Sequence, residues 1–94
     1  MTSPDSVRNN IVASRYELEA DGALCIAAYR PRGAAIVFTH TEVPEALEGR
    51  GHGSRLIRGA LADVRAQGRK IVAECAFVAA YLDRHPEERD LLAA

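Results

Sequence analysis

Three glycines within five residues, in the segment EGRGHGS at positions 48 to 54, separate two different hydrophobic patterns. Before the segment, positions 34 to 43 contain Ile36, Val37 and Phe38 and are typical of a strand. After it, positions 54 to 67 carry apolar residues at helical spacing, which predicts an amphipathic helix. Glycine lets the backbone turn tightly and approach a ligand closely. The sequence therefore predicts a strand, a glycine loop and a helix in succession.

The chain before this unit has the pattern of an antiparallel meander. From Ser14 the apolar and polar residues alternate with period two, which predicts a half-buried strand with Tyr16, Leu18 and Ala20 inward and Arg15, Glu17 and Glu19 outward. Asp21-Gly22 is a strong signal for a two-residue hairpin, and the returning strand is predicted over positions 23 to 29. A second turn is expected at Pro31-Arg32-Gly33, before the third strand.

After the helix, Gly68 is placed to end it in the left-handed conformation. A short strand is predicted over positions 71 to 74 and a second helix over positions 76 to 84, which ends before Pro86. A strand reached through a helical crossover lies parallel to the strand before the helix. The predicted fold class is therefore α+β with a mixed sheet: an antiparallel three-stranded meander, then helix, parallel strand and helix.

Length and composition limit both the organisation and the partners of the chain. Ninety-four residues make one domain over positions 1 to 94, in which the polar first ten residues are expected to be loosely ordered. Lys and Arg number 12 against 13 Asp and Glu, and 5% of residues are aromatic, which argues against a nucleic-acid partner. No apolar run approaches the ~20 residues that span a bilayer. With no secretory signal, we expect a cytoplasmic protein that is not bound to membranes.

Cysteine and histidine spacing gives no metal motif. Cys25 and Cys75 form no CxxC pair and indicate a reducing compartment, although their pairing is left open by the sequence. The three histidines show no i,i+4 spacing, so no metal site is expected.

The glycine loop indicates an anion site. The first N–H groups of a helix have no intrahelical acceptor, and the helix dipole places partial positive charge there, which suits a phosphate. The nucleotide motif G-x-x-x-x-G-K-[ST] is absent, and Ser54 stands where the dinucleotide fingerprint needs its last glycine. The plain alternative is a glycine-rich turn without a ligand.

At this junction the sequence resembles the GNAT superfamily of N-acetyltransferases, whose motif is [QR]-x-x-G-x-[GA]. Positions 50 to 53 (RGHG) match the end of that motif, while Glu48 departs from its first position. The segments VFTHTEVPEALEGRGHGSRLIRGAL and VAECAFVAAYLDRHPEERDLL look like a miniature GNAT subfamily of about ninety residues that lacks the usual first helices. The likeness extends from about Arg15 to Leu92 and implies a GNAT-like (acyl-CoA N-acyltransferase) fold.

The resemblance implies acetyl-CoA as cosubstrate, with its diphosphate held at the helix start by Arg50, Gly51, His52, Gly53 and Ser54. The pantetheine arm would lie along positions 39 to 43, in contact with Thr41, Glu42 and Val43, and backbone amides near the last two would stabilise the oxyanion. The side chain of His52 is expected to face solvent or the adenosine. Arg55 and Arg58 are further cations at the helix start, and they either contact the phosphates or form a solvated face.

Three side chains are candidates for the chemistry that the resemblance implies. Cys75 matches a subfamily cysteine suggested as nucleophile or acetyl contact, and otherwise it is a small buried thiol. Tyr81 matches the tyrosine that reprotonates the leaving thiolate, or else it is a core aromatic. His40 is a candidate base for the acceptor amine, or else a hydrogen-bonded strand histidine.

Two functions remain open on the sequence. The first is an acetyl-CoA-dependent N-acetyltransferase, an enzyme that acts on an amine of unknown identity. The alternative is a non-catalytic module that binds coenzyme A or a partner protein. A small sheet with exposed edges is compatible with a monomer or a homodimer.

Overall fold

The computed structural model describes residues 7 to 93, which form a five-stranded sheet with the strand order β1-β2-β3-β4-β5. Strands β1 to β4 are antiparallel neighbours, and β5 lies parallel to β4. The strands are β1 (Arg8–Asn10), β2 (Arg15–Ala20), β3 (Ala23–Arg32), β4 (Ala35–Glu42) and β5 (Lys70–Ala73). The helices are α1 (His52–Ala66) and α2 (Ala76–Arg84), with short 3₁₀ helices at Glu45–Leu47 and Pro86–Leu91. The predicted mixed α+β fold is confirmed.

One hydrophobic core holds the sheet and helices together. Tyr16 and Leu18 of β2 and Phe38 of β4 enter this core from the sheet. The predicted face of α1 is buried against them, through Leu56, Ile57, Ala60, Leu61 and Val64. Helix α2 has the predicted bounds and adds Val78, Tyr81 and Leu82 to the same core. Apolar residues at helical spacing therefore placed both helices correctly.

The predicted turns are confirmed at two of three places. Asp21 and Gly22 have φ values of 52° and 77°, as a two-residue hairpin requires. Gly68 has φ 70° just after α1. The turn predicted at Pro31-Arg32-Gly33 is displaced towards the C-terminus: Pro31 lies inside β3 opposite Ile36, and the turn is at Gly33 and Ala34, with φ 60° at Gly33. Pairing of β3 with β2 ends at Ala28, so the proline lies where β3 has no β2 neighbour.

The meander has a fourth strand at its start. Residues 8 to 10 form β1 on β2, so the expected loose start is wrong for this part, and residues 1 to 6 lie outside the described residues. Glu17, predicted to face outward into solvent, is only 3% exposed. Its carboxylate accepts hydrogen bonds from Arg8 Nε (2.9 Å), Asn10 Nδ2 (3.0 Å) and Arg15 Nε (2.7 Å). This carboxylate therefore links β1 to β2.

The feature of the sheet that positions the site is a bulge in β4. The register with β3 passes from Tyr29 opposite Phe38 to Ala28 opposite His40, so Thr39 is an extra residue. Parallel pairing with β5 ends at the same point, with Phe38 opposite Ala73. The amides of Glu74 and Cys75 then both donate to the Phe38 carbonyl, at 3.1 and 3.0 Å. Beyond Phe38, β4 and β5 are no longer paired.

The C-terminal segment covers the outer edge of β5. The amide of Ala93 donates to the carbonyl of Ile71 at 2.8 Å, and Leu91 is buried in the core. The Arg65 guanidinium holds this segment to α1 through Glu88 (2.9 Å) and Asp90 (2.7 Å). Within residues 7 to 93, no helix has the length and apolar character needed to cross a lipid bilayer.

The Glu17 carboxylate predicts an acid-sensitive contribution to stability. Hydrogen bonds from Arg15, then Asn10, lower its pKa from 4.5 to about 2. The charged form is favoured in the folded state, so the stabilisation is complete above pH 4.5 and is lost as the pH falls towards 2. We expect Glu17→Gln to lower the free energy of unfolding by about 1–3 kcal/mol at neutral pH. Urea unfolding of both proteins at several pH values measures this.

The matched control is Glu19→Gln, on the same strand with an exposed side chain. This variant should unfold like the wild type at every pH. A Glu17→Gln variant whose stability deficit is the same at pH 7 and near pH 2 would contradict the role of the charge.

Candidate functional site

A cleft of about 750 Å³ opens where β4 and β5 separate. Its walls come from the end of β4, the loop that follows, the start of α1 and one face of α2. Seven of the residues predicted to bind the cofactor line it: Thr41, Glu42, Val43, Gly51, His52, Gly53 and Ser54. The structure therefore brings the end of the predicted strand and the glycine loop to one cavity.

The start of α1 presents unpaired backbone donors to this cleft. Gly51 is the N-cap with φ 80°, and its carbonyl accepts the Arg55 amide at 3.1 Å. The amides of residues 52 to 54 precede that first helical hydrogen bond, so they have no acceptor within the helix. No side chain caps this end, and the first turn contains no acidic residue. The arrangement is suited to an anionic group.

The end of β4 presents a free strand edge to the same cleft. Strand β3 occupies one edge of β4 as far as Glu42, whereas β5 pairs with the other edge only as far as Phe38. Among the described residues, no strand pairs with that second edge from Thr39 onward. An unpaired edge can accept an extended ligand as an added strand.

Cys75 lies directly behind this wall of the cleft. It is the N-cap residue of α2, is 7% exposed, and its Sγ lies 3.2 Å from the Thr41 hydroxyl oxygen. Thr41 itself lines the cleft. Cys25, by contrast, lies in the sheet, where burial raises the pKa of its thiol. Both cysteines are free thiols, so the pairing that the sequence left open does not occur.

The comparisons with known proteins agree with this geometry. The sequence model of the GCN5-related N-acetyl-transferase family matches residues 15 to 91. The chain belongs to this family, abbreviated GNAT. The match includes the cleft, the glycine loop and α2, and it confirms the resemblance found in the sequence.

A solved structure gives the same fold. It is the NMR structure of a GCN5-like protein from Staphylococcus aureus, which superimposes with a TM-score of 0.73 at 24% sequence identity. The alignment covers 99% of this chain and 92% of that one. No curated protein sequence matches the chain. Family and fold together support an acyltransferase.

His40 lies at the rim of the GNAT cleft. Its side chain is exposed and its Nε2 lies 2.9 Å from Oε2 of Glu42, which lines the cleft. The two residues are separated by one position on β4, so their side chains leave the same face of the strand. His40 is therefore near the cleft without forming part of its wall.

Tyr81 is buried in the core on the cleft-facing side of α2. Phe77 and Arg84, four residues before it and three after it, both line the cleft, so the three share one helix face. Its ring stacks on His85 with centroids 4.1 Å apart. Burial, followed by the charge of Glu88, raises the pKa of the Tyr81 hydroxyl.

The basic side chains of the loop, Arg50 and His52, both lie near Asp21 of the β2–β3 turn. Arg50 does not line the cleft, and its guanidinium lies 3.4 Å from Asp21 of the β2–β3 turn. Contact of His52 with the adenosine stays a prediction, whereas the alternative that its side chain faces solvent is wrong, because this side chain is only 11% exposed. It lies between the Arg55 guanidinium, which contacts its Nδ1, and Asp21 at 4.0 Å.

Sequence reasoning missed part of the apolar wall. Leu24 at the start of β3, Leu47 before the loop and Phe77 on α2 all line the cleft. Leu24 and Phe77 are large apolar side chains that stay exposed in the fold. The sequence offered one signal for Phe77, which is its position two residues after Cys75. Within residues 7 to 93, no group of three or more His, Cys, Asp or Glu side chains is placed to hold a metal.

Proposed function

We propose that the protein is an N-acetyltransferase that takes an acetyl group from acetyl-CoA and transfers it to an amine. The observation that carries the proposal is the meeting, in one cleft, of the free amides of α1 and the free edge of β4. A diphosphate is suited to the first feature and an extended chain with amide groups to the second. Coenzyme A contains both chemical groups in one molecule.

The free energy of binding requires both the free amides of α1 and the free edge of β4. Three or four hydrogen bonds from the amides of residues 52 to 54 and nearby groups to a charged diphosphate contribute about 5–12 kcal/mol gross. Association costs about 4–15 kcal/mol, so these contacts alone do not give the ~8 kcal/mol of micromolar binding. Pairing of the pantetheine amides with Thr41, Glu42 and Val43 supplies the remainder. The apolar wall of the cleft adds to it.

Residues of β4 and α2 supply the groups that acyl transfer needs. Bound acetyl-CoA provides an acyl group activated as a thioester. Backbone N–H groups near Glu42 and Val43 stabilise the negative charge that develops on the carbonyl oxygen. His40, oriented by Glu42, accepts the proton of the attacking amine. Tyr81, whose raised pKa keeps its hydroxyl protonated, donates a proton to the departing thiolate.

In this proposal Cys75 carries the acetyl group transiently, which is supported by the position of its sulfur beside Thr41 of the cleft wall. Its sulfur would attack the thioester carbonyl, forming a new carbon–sulfur bond as the bond to coenzyme A breaks, and the thiol proton of Cys75 replaces the one given to the departing thiolate. The acceptor amine then attacks the acetyl-cysteine, and the Cys75 sulfur leaves. The Thr41 hydroxyl, 3.2 Å away, donates to the sulfur when it carries negative charge.

A pair of glycine variants tests the cofactor site. Gly51 and Gly68 have φ values of 80° and 70°, and a Cβ on either would meet no atom within 4 Å. Alanine at either position therefore introduces the same backbone strain, about 1–2 kcal/mol, but only Gly51 lines the cleft. By isothermal titration calorimetry, Gly51→Ala should bind acetyl-CoA at least about tenfold more weakly, which corresponds to about 1.4 kcal/mol.

Gly68→Ala is the control and should bind acetyl-CoA like the wild type. Equal losses in the two variants would mean that strain, and not the cleft, controls binding. Unchanged affinity in Gly51→Ala, or no binding by the wild type, would contradict the proposed function.

Intact mass spectrometry tests the role of Cys75. Incubation with acetyl-CoA and no acceptor should add one acetyl group to the wild type and to Cys25→Ala, whose missing thiol lies in the core. Cys75→Ala should remain unmodified. An adduct that persists in Cys75→Ala, or one that is absent from the wild type, would exclude this nucleophile and leave direct attack by the amine.

A further inference from the structure

Phe77 is a large aromatic residue that the fold leaves partly exposed. It lies in the first turn of α2, is 37% exposed, and lines the cleft. The other phenylalanine, Phe38, is fully buried in the core. An apolar ring left open to a ligand cleft indicates a contact with an apolar part of the ligand.

The ring of Phe77 rests on the first turn of α1. A Cβ atom added to Gly53 would lie 2.4 Å from Cζ of Phe77 and 3.1 and 3.2 Å from its Cε atoms. The far edge of the ring therefore occupies the space beside the Gly53 α-carbon, where any other residue would place its side chain. The amide of Gly53 is one of the donors predicted to hold the diphosphate, so the ring borders the anion site.

The chemistry next to the diphosphate of coenzyme A matches this surface. On the pantetheine side, one methylene group separates the diphosphate from a quaternary carbon that bears two methyl groups. A nucleoside diphosphate such as ADP has the same diphosphate but ends there. An apolar wall bordering the anion site, as Phe77 provides with Val43 and Leu47, thus contacts a group that only the coenzyme carries.

We infer that Phe77 is a specificity-determining residue that selects coenzyme A over nucleoside diphosphates by packing its exposed ring against the two methyl groups beside the diphosphate. The inference rests on the proposed function, because it takes the diphosphate to bind at the start of α1. If Phe77 has this role, Gly53 both donates its amide to the diphosphate and leaves space for the Phe77 ring. The absence of a side chain there gives the Phe77 ring its position.

The test compares coenzyme A and ADP on four proteins. NMR titrations, which extend to millimolar dissociation constants, are run on wild type, Phe77→Ala, Phe77→Leu and the control Ile11→Ala. Ile11 is an exposed apolar residue in the β1–β2 turn, away from the cleft. Phe77→Ala should weaken coenzyme A binding about tenfold and leave the affinity for ADP within about twofold of wild type. Phe77→Leu should lie between, and Ile11→Ala should match the wild type.

Gly53→Ala provides an independent check. The three atoms nearest the added methyl all belong to the outer end of the partly exposed Phe77 ring, so we expect the ring to turn aside and the fold to be retained. Coenzyme A binding should weaken as in Phe77→Ala, and the double variant should bind no more weakly than Phe77→Ala alone. Two residues that act through one contact show such non-additive effects.

The outcomes separate this inference from the proposed function. Wild type that binds neither ligand overturns both. Wild type that binds coenzyme A and ADP equally, a Phe77→Ala variant that loses both or neither, or additive losses in the double variant overturns the role of Phe77 alone.

Discussion

The separation of β4 from β5 after Phe38 is the constraint on which the rest of this structure depends. The extra residue Thr39 shifts the register of β4 at the point where its parallel partner ends. Hydrogen bonds that would have joined the two strands are instead available to a ligand, because the described chain gives β4 no other neighbour on that edge. The Phe38 carbonyl closes the inner end of the gap by accepting the amides of Glu74 and Cys75. The cleft is thus a consequence of strand pairing, and its side chains refine a cavity that the backbone creates.

Two helices begin at this cleft, and a side chain of one packs on the first turn of the other. Helix α1 starts at a left-handed glycine with free amides, and α2 starts at Cys75. The ring of Phe77 crosses from the second helix to the α-carbon of Gly53 in the first. The proposed anion site and the apolar wall therefore share this cleft, and the Cys75 thiol lies beside Thr41 of its wall. This shared position is the physical basis of the function that we propose for this member of the GNAT family.

Sequence patterns predicted the elements better than their contacts. Hydrophobic spacing placed α2 at its observed bounds, α1 within two residues of its start, and β5 parallel to β4, because these features depend on local periodicity and chain connectivity. Strand β1 was missed, since it depends on the buried Glu17 carboxylate, and a Glu at an alternating position has the pattern of a solvent-facing residue. The glycine loop predicted the proposed anion site, but nothing local marked the bulge at Thr39 or showed that the ring of Phe77 packs on Gly53. Both follow from the register and packing of elements distant in sequence.

The most direct test of this account is a ¹H–¹⁵N correlation spectrum of the protein titrated with coenzyme A. The account predicts that the largest shifts fall on two groups of backbone amides, those of residues 52 to 54 at the start of α1 and those of residues 39 to 43 along the free edge of β4. Amides of the β1–β2 turn, away from the cleft, should not move. Shifts confined to one of the two groups, or spread over the surface without either, would contradict a ligand that binds both the helix start and the strand edge.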